Sequence, residues 1–521
     1  MIFPARRRRL SVAPLLSLLA FGLLGSARAE PVEQWRASYF DHVLGTSLEL
    51  KFETRTADDA AVAENAALAE IDRLAAILSG YDASSEFSRW LATRDEAVRV
   101  SPELFEVLAL FDAWRARTSG AIDAAAETAG RFWQNAAQRQ QSPTAAELEQ
   151  IVAAVRQTHW RLDHANKTAT HLTDAPLRLN SFAKSYIIER ACAAALETGR
   201  VSTALVNIGG DLVIRGRSAD TVAIIDPAAA AENDAPRARV TVRDRAIATS
   251  GDYRRGVTIG GKWFSHLMDP RTGRPADQVG SATVSSPSAT DAGALATALC
   301  VMSPDEGTAL ARTFPATEYL VVLADGSELT SAGWATLVGP PASSPLGVHA
   351  ALSAGSTSPT AVAAAGRGAF EVMVNFELAQ ISGGRTKRPY VAVWVEDKDN
   401  VSVRTLGLWF NKPRWLPDLR AWSRAEARRE LTASSRTPES ISSATRGPGK
   451  YSLRWDGTGD AGQALPPGQY TIFVEVAREH GTHQLVTGKV DVSVTGTHLD
   501  LPANTELAAI SLDVRPRGPA R

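Results

Sequence analysis

The sequence predicts an α+β protein built as two folded units, and three observations carry that expectation. The chain has 521 residues, 44% of them hydrophobic and 22% charged, which is enough to bury more than one core. Up to about residue 338, segments with apolar residues at helical spacing are interspersed with short alternating runs. From Pro340 to Gly368 the composition turns to Ala, Ser, Pro and Gly with hardly a charge, as in a linker, and from Phe370 onward strand-like runs dominate.

In chain order, residues 1–29 have the three parts of a secretory leader: Arg6 to Arg9, an apolar run from Leu10 to Leu24, and Ala27-Arg28-Ala29 before Glu30 as the cleavage site. The apolar run is too short and broken for a good membrane span, and no later stretch reaches eighteen apolar residues, so no transmembrane helix is expected in the mature chain. No Cys follows the leader to carry a lipid, and the arginines before Leu10 match a twin-arginine signal only loosely. Removing residues 1–29 takes away five arginines, leaving 51 basic against 57 acidic residues, about six negative charges. That balance argues against nucleic acid or an anionic membrane as partner. An oxidising compartment permits a bridge between Cys192 and Cys300; two buried free thiols are the alternative.

The alternation to Phe52 predicts a strand, and helices are predicted over Asp58 to Leu78 and Pro102 to Thr118. Residues 177–200 read as a strand end running into an amphipathic helix, and residues 204–211 as a buried strand opening into the Gly209-Gly210 turn, whose main-chain amides suit a phosphate. Asp123 is either a helix cap or a site residue.

Residues 246–275 concentrate the most specific chemistry. Ser250-Gly251-Asp252-Tyr253 ends an apolar run, Gly260-Gly261 predicts a hairpin, and Asp269-Pro270-Arg271-Thr272-Gly273 predicts a tight turn. This places the Ser250 hydroxyl, the His266 imidazole and the Arg271 guanidinium near one rim, where a hydroxyl, a titratable ring and a fork donor suit a phosphate ester.

These strings resemble the signature of the FAD:protein FMN transferases, the ApbE family, in which Ser-Gly-Asp-Tyr and Ser-His-x-x-Asp-Pro-x-Thr-Gly segments line the flavin site. The resemblance extends over residues 38–338: Gly45-Thr46 near the first strand, Ser79 to Arg89, Ser119 to Asp123 with Trp133 beyond, Ala183-Lys184 with Tyr186, Asn207 to Asp211, and Asp226-Pro227. Departures are Leu44 for Met, Leu91 for Asn, and Arg178, Asn180, Ser181 and Ser185 where the family has Asp, Gly, Gly and Gly.

The resemblance implies an ApbE-like flavin transferase domain over residues 30–339 that takes FAD as substrate and uses Mg²⁺. It moves FMN to a Ser or Thr hydroxyl of an acceptor flavoprotein in the membrane or periplasm. His266 is then the base or a flavin contact, and Asp123, Lys184, Asn207, Gly209, Gly210, Asp211, Ser250, Gly251 and Arg271 bind the cofactor. The metal residues it implies are Ala183, Thr297 and an Asp four positions before Thr297, where this chain has Gly293. Asp291 lies six residues before Thr297, about 240° around a helix, and reaches a shared metal only if the helix begins after it; otherwise it is a cap.

Residues 369–498, with a Trp- and Arg-rich helical insert from Trp415 to Leu431, resemble an immunoglobulin-like β-sandwich and an uncharacterised periplasmic domain. A tail is expected over 499–521. The tryptophans of this unit read as core. A flavin-binding relative without transferase activity, and a scaffold acting through the second unit, are the alternative functions.

Overall fold

The computed structural model describes residues 32–251, 255–338, 370–380, 388–410, 413–430, 442–443, 445–460, 462–478, 481–494 and 496–516. The predicted leader, the linker of residues 340–368, and Asp252 with Tyr253 lie outside the described residues.

The first unit is laid out on an antiparallel sheet whose strands follow the chain. They are β1 (Gln34–Val43), β2 (Thr46–Thr54), β3 (Thr203–Ile208), β4 (Asp211–Gly216), β5 (Arg245–Gly251), β6 (Val279–Ser286), β7 (Glu318–Leu323) and β8 (Glu328–Thr330), side by side in that order. Side chains alternate across a strand, so Ala204, Val206 and Ile208 of β3 enter one core while Leu205, together with Leu212 and Ile214 of β4, enters another on the opposite face. Both faces of the central strands are therefore buried, and these strands read as nearly continuous apolar runs.

Helices α1 (Ala57–Leu78), α2 (Pro102–Arg117), α3 (Ala126–Arg139), α4 (Ala183–Glu197) and α5 (Ala289–Val301) contribute to the first core. In α1, Ala63, Ala67, Ile71, Leu74 and Leu78 form the buried stripe, and Thr56 Oγ1 accepts from Asp59 N at 3.0 Å to start the helix. Helix α5 is different. Apart from half-buried Thr297, every residue from Ala292 to Val301 is buried, because α5 packs against β5, β6 and α4 together.

Helix α5 begins at Ala289, before Asp291, and its cap is Ser288, whose Oγ accepts from Asp291 N at 3.2 Å. Asp291 thus lies inside the first turn. Neither expectation for it holds: it does not precede the helix, and it is not the cap.

In the second unit, β9 (Phe370–Leu378), β12 (Gly449–Trp455), β15 (Thr497–Asp500) and β16 (Leu507–Pro516) make one sheet. Strands β10 (Tyr390–Glu396), β11 (Ser402–Trp409), β13 (Gln469–Ala477) and β14 (His483–Asp491) make most of the other. Val372 and Val374 of β9, Val391 and Val393 of β10, and Leu512 and Val514 of β16 share one core between the sheets. Trp409 and Trp455 are buried in it, as their reading as core expects. The expected tail is corrected: β16 lies inside its sheet, between β9 and β15, because Leu507, Ile510, Leu512 and Val514 are needed to fill that core. The helical insert is a short 3-10 turn, Pro413–Asp418, followed by α6 (Arg420–Glu430).

The two units touch along β12, an edge strand. Glu232 N of the first unit donates to Ser452 O at 2.8 Å. The Asn233 amide mimics a neighbouring strand, Nδ2 donating to Arg454 O at 2.7 Å and Oδ1 accepting from Arg454 N at 2.7 Å. Arg454 also pairs with Asp234 at 3.1 Å. This covers backbone groups that an open edge offers to other chains.

Candidate functional site

A cavity of about 690 Å³ opens where the first turn of α4, the β3–β4 turn, the end of β5, the segment before α3, the hairpin after β5 and one face of α5 converge. Such a volume is in the range of cofactor sites. Of the residues expected at a site, Asp123, Lys184, Gly209, Asp211, Ser250, Gly251, His266 and Thr297 line it.

Each wall follows from local sequence. Gly209 and Gly210 take φ of +59° and +96°, left-handed values that let β3 turn directly into β4, and Asn207 Oδ1 accepts from Gly210 N at 3.1 Å. A Cβ on Gly209 would lie 2.7 Å from Thr46 Cγ2, so this corner has no room for a side chain. Asp211 then meets Lys184, with Nζ 2.8 Å from Oδ2. Helix α4 starts without a side-chain cap, and its first amide, Ala183 N, donates instead to Leu179 O at 3.0 Å.

The hairpin forms as expected: Gly256–Ile259 pairs with Lys262–Ser265, and Gly260 and Gly261 at φ +56° and +79° make its turn. The turn after it is closed by Asp269 O, which accepts from Gly273 N at 2.8 Å. Trp133 Nε1 donates to Gly273 O at 2.9 Å, tying the turn to α3.

His266 Nδ1 lies 3.1 Å from the carbonyl of Arg255. A carbonyl can only accept, so Nδ1 carries the proton and Nε2 is the basic atom of the neutral ring. The ring is open to solvent on one side, yet the protein around it desolvates the charged form and lowers its pKa; the Arg255 carbonyl opposes that shift.

Asp123 is buried. Its Oδ2 meets Arg115 Nε at 2.8 Å and its Oδ1 accepts from Ala125 N at 2.8 Å. Burial pushes this carboxyl up, while the amide of Ala125 and Arg115 oppose the shift.

Other expected residues stand elsewhere. Arg271 is not on the rim: its guanidinium is held by Asp269 at 3.0 Å and faces Glu306 at 3.4 Å. Asn207 and Gly210 support the turn from outside the lining, and Ala183 is buried beneath it. Asp291 is also outside the lining; burial raises its carboxyl, with Ser288 and then Arg117 opposing.

Sequence reasoning did not single out Tyr81, Glu127, Arg178 or Arg255 as site residues, yet all four line the cavity. Arg178 lies over the Tyr81 ring at 4.4 Å, and Asn180 Nδ2 donates to the Tyr81 hydroxyl at 2.9 Å. Tyr81 is 76% exposed, an unusual position for an aromatic ring, and that is visible only once the fold is known.

The residues assigned to a divalent cation do not fit one. Thr297 Oγ1 faces the cavity, 3.1 Å from Gly293 O and 3.4 Å from both Ser181 O and Ser250 Oγ, but Gly293 offers no carboxylate beside it. Among the described residues no group of three or more His, Cys, Asp or Glu gathers to hold a metal. Beneath Gly293 the Ser185 hydroxyl is 3% exposed and without a hydrogen-bond partner, which costs about 1–3 kcal/mol.

Comparison with known proteins agrees with this geometry. Residues 44–321 match the ApbE family, and residues 371–509 match a family described as "Predicted periplasmic protein (DUF2271)". A Vibrio cholerae protein named FAD:protein FMN transferase is 29% identical over 323 residues, covering 60% of this chain and 94% of the relative. An Escherichia coli protein of the same name is 27% identical over 297 residues, covering 55% and 80%. The crystal structure of the ApbE protein from Thermotoga maritima superposes with a TM-score of 0.53 at 26% identity, covering 59% of this chain and all of that one. With over half of its length matched in sequence and the same fold around the cavity, this chain belongs to the ApbE family.

Proposed function

We propose that the first unit is an FAD:protein FMN transferase. The observation that carries this reading is the convergence of Lys184, Asp211, Ser250 and His266 on one dinucleotide-sized cavity in a member of this family. In the reaction, the hydroxyl oxygen of an acceptor Ser or Thr attacks the phosphorus of the FMN half. A new P–O bond forms, the pyrophosphate P–O bond breaks, and AMP departs with the bridging oxygen. His266 takes the hydroxyl proton at Nε2, the basic atom left by its contact with Arg255. Lys184 places positive charge on the cavity wall, where it can meet phosphate oxygens. Asp123, anchored by Arg115, and Trp133 shape the opposite wall.

The Mg²⁺ implied by family resemblance enters no step here, because the cavity lacks the carboxylate such a site requires beside Thr297. That same lack favours a second reading, a flavin-binding relative that has given up transfer. The leader of residues 1–29 supports export to the periplasm, where the acceptor is a flavoprotein of the periplasm or membrane, and the description of the second family agrees with that compartment. The domain division that follows is a leader, a transferase unit over 30–339, a linker over 340–368 and a β-unit from 369 that includes β16. We read the facing sheets of the β-unit as immunoglobulin-like and as a docking module.

The test is to incubate the mature chain with FAD and an acceptor bearing a modifiable Ser or Thr, and then to follow FMN on the acceptor and AMP in solution. Appearance of both supports transfer. Tight FAD binding without either product supports the second reading.

A further inference from the structure

Where helices α4 and α5 pack together, Ser185 faces Gly293. A Cβ built on Gly293 would lie 2.3 Å from Ser185 Oγ, 3.1 Å from Ser185 Cβ and 3.6 Å from Phe182 Cα. The first distance is too short for non-bonded atoms, so a side chain at 293 requires the Ser185 hydroxyl to turn away, and the contact to Ser185 Cβ stays tight even then. Gly293 and Thr297 line the cavity one helical turn apart. Ser185 therefore crowds the position beside the Thr297 hydroxyl from which a carboxylate would reach a cation. The remaining cavity carboxylates are committed: Asp211 to Lys184 at 2.8 Å, Asp123 to Arg115 at 2.8 Å, and Glu127 to Arg131 at 2.9 Å. Neutral hydroxyl and carbonyl oxygens alone are weak ligands for a hard divalent cation that is slow to shed water.

We infer that Ser185 and Gly293 act as a matched pair that closes the cation position, so that this cavity binds FAD independently of divalent cations. The inference rests on the flavin reading of the cavity. The Ser185 hydroxyl, buried and without a hydrogen-bond partner, is what such a filling role looks like: it occupies volume and satisfies nothing. Removing it and supplying the carboxylate together should open the position.

The experiment uses the full mature chain. FAD is titrated by flavin fluorescence in Mg²⁺ and in EDTA, and the ratio of the two affinities measures coupling between cation and dinucleotide. A ratio below about threefold is expected, and a larger one overturns the inference. Mn²⁺ is then added with and without FAD and followed by electron paramagnetic resonance. Wild type should show free Mn²⁺ only, whereas the Ser185→Gly/Gly293→Asp double variant should immobilise Mn²⁺ and bind FAD about tenfold or more tightly with Mg²⁺ than with EDTA. Immobilised Mn²⁺ in wild type, or none in the double variant, overturns the inference. Thermal melts of Gly293→Asp, Ser185→Gly and the double variant complete a mutant cycle. The single Gly293→Asp substitution should lower Tm more than the double, and equal melts would show that the contact does not couple the two positions. If FAD binds under no condition, the flavin reading falls, while the Mn²⁺ and melting arms still decide whether this pair closes a cation position.

Discussion

At the scale of single residues, His266 and Asp291 show what sequence reasoning can and cannot see. The hairpin and turn that frame His266 were legible because Gly260-Gly261 and Asp269 to Gly273 are local signals, and both formed as expected. Asp291 was not, because its place depends on where α5 starts, and Ser288 starts it three residues earlier. Nor was the Ser185–Gly293 contact, which joins positions 108 residues apart in the chain. His266→Ala should reduce the transfer rate by about 10²- to 10⁴-fold with FAD affinity retained, as read by acceptor mass and flavin fluorescence. Because burial lowers its pKa, His266 is a neutral base at pH 7, and activity should fall only as pH drops through a midpoint below the usual value of about 6.5. A midpoint above that value would remove His266 as the base. Asp291→Ala should leave transfer unchanged, its carboxylate being outside the cavity.

At the scale of elements, the β3–β4 corner and the largely buried α5 set the cavity. The strand into Gly209-Gly210 was legible as an apolar run meeting a turn. Of α5 the sequence showed a helix carrying Thr297, without the three partners that bury it. Gly209→Ala would force a side chain into a left-handed position and against Thr46, and should cost about 1–2 kcal/mol or more. Denaturant unfolding reads the loss, and a stability equal to wild type would show that the corner relaxes freely. The strand β16, expected as tail, was missed for a plain reason. Its alternation of Ile510, Leu512 and Val514 is broken from Leu507 by Ala508 and Ala509, where the pairing shifts register, and its value lies in the core it completes.

At the scale of the whole molecule, the division into two folded units was legible in composition, whereas their contact was not, since it joins residues 232–234 to residues more than 200 positions away, in part through one side chain copying a peptide group. Asn233→Ala leaves Arg454 N and O without those partners and should loosen the join by about 0.5–1.5 kcal/mol. Calorimetry should then resolve two melting transitions further apart than in wild type. The thiols give another whole-molecule reading. No disulfide joins Cys192 and Cys300, both of which are buried, and burial pushes the Cys192 thiol up to about 12. A thiol reagent should therefore label neither in the folded chain and both after denaturation; a loss of label that reductant restores would instead reveal a bridge. The central claim, that this cavity moves FMN from FAD to a protein hydroxyl, is tested most directly by intact-mass spectrometry of an acceptor incubated with the mature chain and FAD. The account predicts a mass increase of one esterified FMN, with AMP released in equal amount and both lost in His266→Ala. An unmodified acceptor alongside tightly bound, intact FAD would contradict it.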